Sequence, residues 1–124
     1  MRWETGLGDA LVPLLGRESA DTVVSTLVLH QCTTTMKRAI LTAAHQVLRP
    51  GGRLVIADYG RQRTPAMRLG FGLVQLADGR RDTRLNASGG LPGLIAETGF
   101  PGVRETEIVP TMTGSVSIYV AHRD

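Results

Sequence analysis

Two side chains stand where this sequence could do chemistry. His30 closes the run Ala20-Asp-Thr-Val-Val-Ser-Thr-Leu-Val-Leu-His30, and Asp58 closes Arg53-Leu-Val-Ile-Ala-Asp58. An imidazole with an ordinary pKa of about 6.5 can take up or release a proton near neutral pH. Asp58, with Tyr59 beside it, could face a substrate or could cap the segment that follows. The other candidates carry less. His45 falls near the end of a helical pattern, where the helix dipole accounts for it. His122 lies near the chain end and is given no role. Cys32 has no activating partner in sight and reads as a small residue rather than a nucleophile. No His, Cys, Asp or Glu group has metal-ligand spacing.

Both candidates end apolar runs, so the runs must place them. Ala20–His30 is continuous and β-branched, which reads as a strand buried on both faces in a parallel sheet. Gln31-Cys-Thr-Thr-Thr35 then offers hydroxyls to cap a helix. The helix runs from about Thr35 to Leu48. Met36, Ile40, Ala43, Ala44, Val47 and Leu48 give its apolar face, and Lys37, Arg38, Thr42 and Gln46 lie on the others. Pro50 ends it, and Gly51-Gly52 supply a left-handed turn into the strand Arg53–Asp58. Strand, helix and strand make one βαβ unit with a right-handed crossover. In such units ligands sit at the carboxyl ends of the strands, here around His30-Gln31 and Asp58-Tyr59.

The remaining elements are lighter. Gly6-Leu-Gly8 has the spacing of a dinucleotide turn, but Leu11 stands where a third glycine belongs and no strand precedes it. It is not read as a phosphate loop. Thr64–Ala77 is a helical pattern interrupted by Gly70 and Gly72, and Asp78–Gly90 is a polar loop. Leu91–Thr98 is a short helix with an early proline and Gly99 as its stop. Val103–Val109 and Ser115–Ala121 form an antiparallel hairpin.

Composition narrows the classes. With 124 residues and 42% hydrophobic content, one soluble domain, residues 1–124, is expected. That is short for a complete doubly wound fold of roughly 150 residues. No apolar run approaches the roughly 18 residues of a membrane span. The N-terminus lacks a signal peptide's apolar core, and the single cysteine allows no internal disulfide, so a cytoplasmic location is expected. The net charge of +3 is carried almost entirely by arginine. Gly60–Arg84 holds Arg61, Arg63, Arg68, Arg80, Arg81 and Arg84. No aromatic residues interleave them, so they read as a solvated surface, and no nucleic-acid partner is expected.

The pair of segments Ala20-Asp-Thr-Val-Val-Ser-Thr-Leu-Val-Leu-His30 and Val47-Leu-Arg-Pro-Gly-Gly-Arg-Leu-Val-Ile-Ala-Asp58 resembles the class I S-adenosylmethionine-dependent methyltransferases. The likeness is to the small-molecule and quinone/sterol group. Gly99-Phe100 and the final hairpin fit that family's last strands. The resemblance implies an α/β fold, a partial doubly wound (Rossmann-like), mostly parallel sheet ending in an antiparallel hairpin. It covers nearly the whole chain but only the back part of the family's fold. The Gly-x-Gly-x-Gly turn and the acid that binds the cofactor's ribose are absent from this sequence, so a fragment of a larger enzyme is expected.

The resemblance implies S-adenosylmethionine as cofactor and a small-molecule methyl acceptor. It places the cofactor against Asp9 and Ala10 on the adenine and against Ser25, Thr26 and Leu27 at the strand end. His30 and Asp58 are then the catalytic candidates. The alternative is a catalytically inactive module that dimerises or docks on a partner through an exposed sheet edge.

Overall fold

Parallel pairing of two apolar strands around one helix sets the frame. The computed structural model describes residues 6–60, 62, 65–78 and 90–124, with backbone alone at 73, 74, 77 and 78. A short helix α1 (Leu11–Leu15) leads to strand β1 (Ala20–Thr26), a 3₁₀ turn (Leu29–Gln31) and helix α2 (Thr34–Val47). Strand β2 (Leu48–Tyr59), helix α3 (Pro65–Asp78), helix α4 (Leu91–Glu97) and strands β3 (Arg104–Thr111) and β4 (Gly114–His122) follow. The sheet order is β1-β2-β4-β3. β1 pairs with β2 in parallel, and the β2–β4 and β4–β3 pairs are antiparallel. The α/β class and the closing hairpin are as the sequence implied, and parallel pairing in these four strands is confined to β1 and β2.

One face of the sheet holds the core. Leu54 and Ile56 of β2 and Tyr119 and Ala121 of β4 pack under Leu41 and Ala44 of α2 and Leu94 and Ile95 of α4. Thr33 starts α2 by accepting the Met36 N–H at 3.1 Å, which satisfies one orphan donor of the first turn. The helix is phased differently from the expectation. Lys37, assigned to an outer face, is fully buried in line with Leu41, Ala44 and Leu48, while Met36 is exposed. A fully buried ammonium is tolerated only where it is partnered.

Two further expectations are corrected. β1 is not buried on both faces: Thr22, Val24 and Thr26 are exposed, Val24 at 65%. The strand lies at a sheet edge, and only the face of Val23 meets the core. β1 also stops at Thr26 rather than His30. Leu27 has φ +54°, a left-handed conformation that L-residues enter at a cost of about 1–2 kcal/mol, and it turns the chain out of the strand. On the other side of the turn, β2 begins at Leu48 and takes Pro50-Gly51-Gly52 into an irregular first stretch. Gly51, at φ +80°, makes the left-handed turn within it. The Asp78–Gly90 loop lies outside the described residues over 79–89, as do Arg61, Arg63, Arg80, Arg81 and Arg84.

Candidate active site

The ends of β1 and β2 meet through one carboxylate. Asp58 is 0% exposed. Its Oδ2 accepts the Leu29 N–H at 2.7 Å, and its Oδ1 accepts the Tyr59 N–H at 2.9 Å. Oδ1 also lies 2.9 Å from His30 Nδ1. The left-handed Leu27 makes this possible. Its own N–H donates to the Ala57 carbonyl at 2.8 Å, and the chain then folds back so that the 3₁₀ turn delivers Leu29 and His30 onto Asp58. A carboxylate acts as an acceptor, so His30 Nδ1 faces Asp58 Oδ1 as a donor. Strain at Leu27 and a buried, fully bonded carboxylate next to it are two marks that functional ends of strands often share.

Asp58 was expected at the lip of a crevice; burial and its three donors place it behind His30 instead. Tyr59 also meets the imidazole. The two rings meet edge to face, with centroids 4.8 Å apart. Tyr59 also packs on Phe71 of α3 at 4.9 Å, and its hydroxyl bonds Thr113 Oγ1 at 2.8 Å.

A second polar group lies alongside. Gln62 is buried; its amide donates to the Gly60 and Ser115 carbonyls at 2.7 and 3.1 Å, and its Oε1 accepts the Ser115 N–H at 2.8 Å. Ser115, Ser117, Tyr119 and Ala121 form the more deeply buried face of β4, opposite Val116, Ile118 and Val120. The Ser117 hydroxyl is fully buried and has no hydrogen-bond partner among the described residues. Sequence reasoning followed the valines and isoleucine of this strand and missed the serines. The signal was present: polar Ser115 and Ser117 recur at period two with Tyr119.

The five residues expected at a cofactor do not share one surface: Ser25 and Thr26 line one groove, Asp9 a separate depression, and Ala10 and Leu27 neither. Ser25 and Thr26 line an apolar groove of about 510 Å³ with Gly8, Leu11, Val28 and Ile40. Leu27 is exposed at the end of that wall. Ala10 is half-buried at the head of α1. Asp9 is exposed and faces a separate, shallower depression with Val12, Thr35 and Arg38. The groove is apolar, with Thr22, Ser25 and Thr26 as its hydroxyl-bearing residues, a lining compatible with the flat ring of a nucleoside. Among the described residues no group of three His, Cys, Asp or Glu could hold a metal ion.

His45 sits in the last turn of α2, where the sequence placed it. It lies beside Phe100, ring centroids 5.2 Å apart, near the Gly99 backbone. Burial first, and the Arg123 charge second, hold its pKa below the usual histidine value. The helix dipole would have raised it.

Comparison with known proteins adds a family likeness over part of the chain. Residues 3–56 match the family model described as a methyltransferase domain. No curated protein matches the sequence. The fold is similar to that of an O-methyltransferase family protein from Burkholderia thailandensis, with TM-score 0.64 and 22% identity, over 84% of this chain and 30% of that one. It is similar to a SAM-dependent methyltransferase from Thermotoga maritima, with TM-score 0.67 and 15% identity, over 87% and 58%. Magnesium protoporphyrin IX methyltransferase from Synechocystis PCC 6803, solved with bound SAH, gives TM-score 0.58 and 19% identity, over 84% and 45%. The chain spans 34% and 30% of the first two structures it matches, about a third. At these identities the structural likeness is one of fold. The resemblance carried by Ala20–His30 and Val47–Asp58 is therefore met again in the family match and in the fold: the chain is similar to the S-adenosylmethionine-dependent methyltransferases.

Proposed function

We propose that this chain is the part of an S-adenosylmethionine-dependent methyltransferase that carries the acceptor side of the site, and that a small molecule takes the methyl group. The observation that carries the reading is the Leu29–His30–Asp58 arrangement at the joined ends of β1 and β2, in a chain that matches a methyltransferase domain. When bound, the cofactor supplies an electrophilic methyl on sulfonium. Ser25 and Thr26 line the groove that would border it, with Leu27 at the end of that wall; Asp9 and Ala10 would meet its adenine only if the adenine reached the separate depression at Asp9. Asp58 orients the His30 ring through Nδ1. His30 would take up the proton that an acceptor hydroxyl or amine loses on methylation. Removing a general base of this kind costs about 10²–10⁴ in rate, and the rest of the acceleration comes from alignment.

The chain has no Gly-x-Gly-x-Gly turn, so its hold on the methionine end of the cofactor is weak. Calorimetric titration of the 124-residue chain with S-adenosylhomocysteine should show no micromolar binding. A polypeptide that adds such a glycine turn should bind and transfer label from methyl-labelled cofactor, with His30→Ala depressing the rate. Micromolar binding by the chain alone, or full activity in His30→Ala, overturns this division of labour.

A second reading is a pairing module, and the open edge of β1 favours it. A sizing column separates the two, since the module should run as a dimer or larger.

A further inference from the structure

Helix α3 is apolar on more than the face it buries. From Pro65 to Ala77 its one charged residue is Arg68. On the inner side Phe71 is fully buried and packs on Tyr59. Gly70 is pressed against the β3–β4 turn, where a Cβ would stand 2.5 Å from the Met112 carbonyl oxygen. The outer side is apolar as well. Leu69 and Leu76, two turns apart on one side of the helix, are 81% and 86% exposed. Gly72 lies on the line between them, and a Cβ there would meet nothing. Met112 is 96% exposed in the turn beside the helix. Among the described residues no other large apolar side chain is as exposed as these three. Helix α2 shows the contrast, since Arg38 and Thr42 occupy its outer side. A helix that is apolar all round is normally covered.

The charge of this stretch indicates what could cover it. The chain carries +3, and residues 60–84, which include α3, hold six arginines against two aspartates. Arg68 is exposed one position before Leu69. The three apolar side chains project from the surface. A protein partner would need pockets shaped to receive them, whereas the headgroup region of a bilayer accepts apolar side chains of any outline. Apolar projections beside a basic excess suit an anionic lipid interface. With 14 residues, α3 is about 21 Å long. It would therefore lie on a bilayer, and no helix among the described residues could cross one.

We propose that the outer side of α3, with Met112, docks on an anionic lipid surface. Leu69, Leu76 and Met112 enter the headgroup layer, and the arginine excess draws the chain to it. This goes beyond the methyltransferase reading and does not depend on it. Phe71 and Tyr59 lie on the inner side of α3. Docking would thus set the His30 end of the candidate site one helix diameter, about 10 Å, from the lipid.

The test is co-sedimentation of the 124-residue chain with two kinds of vesicle, phosphatidylcholine alone and phosphatidylcholine mixed equally with phosphatidylglycerol. The chain should pellet with the anionic vesicles and stay in solution with the neutral ones, and added salt should weaken the binding. The double variant Leu69→Ser, Leu76→Ser should lower the partition coefficient by about tenfold or more, since every apolar carbon withdrawn from the interface counts. Gly72→Leu should raise it, because the added side chain has open space and falls on the same line. Both leucines are exposed, so circular dichroism should show a folded chain in each variant. A wild-type chain that does not bind anionic vesicles overturns the proposal, as does equal binding to neutral ones. Unchanged binding in the double variant would assign the effect to charge alone and overturns it too. The gain in Gly72→Leu remains a test even if the double variant does not fold, and its absence overturns the proposal. A wild-type oligomer in lipid-free solution that the double variant disperses would give the face to a second copy of the chain instead.

Discussion

His45 is a histidine whose neighbours favour its neutral form. Burial against Phe100 and the Arg123 guanidinium lower its pKa in the folded chain, while in the unfolded chain it returns to about 6.5. Below that value the unfolded chain binds the extra proton and the folded chain resists it, so stability falls as pH drops. The loss starts near pH 6.5 and continues down to the lowered folded pKa. Thermal melts at pH 7.5 and 5.5 should show a fall in Tm that is smaller in His45→Gln, and equal falls in the two chains would show that His45 is not the source. His30 was legible because it closes the apolar run, although the strand itself ends at Thr26 and His30 lies in the 3₁₀ turn beyond it. The environment of Asp58 was not, because its three donors come from Leu29, His30 and Tyr59. Leu29 and His30 reach it only after Leu27 has turned left-handed, and a leucine carries no sequence sign of that.

At the scale of elements, the βαβ frame was readable and its trimming was not. Helix α2 runs over Thr34–Val47 against an expected Thr35–Leu48, because a capping threonine and a proline fix both ends locally. Lys37 went inward and β1 ended early because tertiary packing, not local pattern, decides those points. The junction of β2 with β4 carries a sharper consequence. A Cβ on Gly60 would overlap Ser117 Oγ and would stand 2.7 Å from the Tyr119 hydroxyl. Overpacking of this kind costs about 1–3 kcal/mol. Gly60→Ala should therefore lower the urea midpoint. In a Ser117→Gly background the same change should cost less, since the two Ser117 atoms it meets are gone and only the Tyr119 hydroxyl remains close, and the difference is the coupling a double-mutant cycle measures. Additive effects would mean that the two elements do not press on each other at Gly60.

For the whole molecule, the two edges of the sheet are built differently. β3 is exposed throughout but holds Arg104, Glu105, Glu107 and Pro110, charges and a proline of the sort that blunt an edge. β1, at the other edge, is Ala-Asp-Thr-Val-Val-Ser-Thr, with one charge at its start. That charge is engaged sideways, since Asp21 pairs with Arg49 at 2.7 Å. From Thr22 to Thr26 nothing in β1 discourages another strand from adding, and Val24 presents an apolar side chain to solvent on the open face. Self-association should then pass through β1. Sedimentation across a concentration series should show Val24→Lys weakening it, while Ile108→Lys on β3 leaves it unchanged. Both positions are exposed, so each substitution should shift stability by no more than about 0.5 kcal/mol, and lost association cannot be put down to unfolding. A wild-type chain that stays monomeric at every concentration, or equal effects from the two lysines, would remove β1 as the pairing edge.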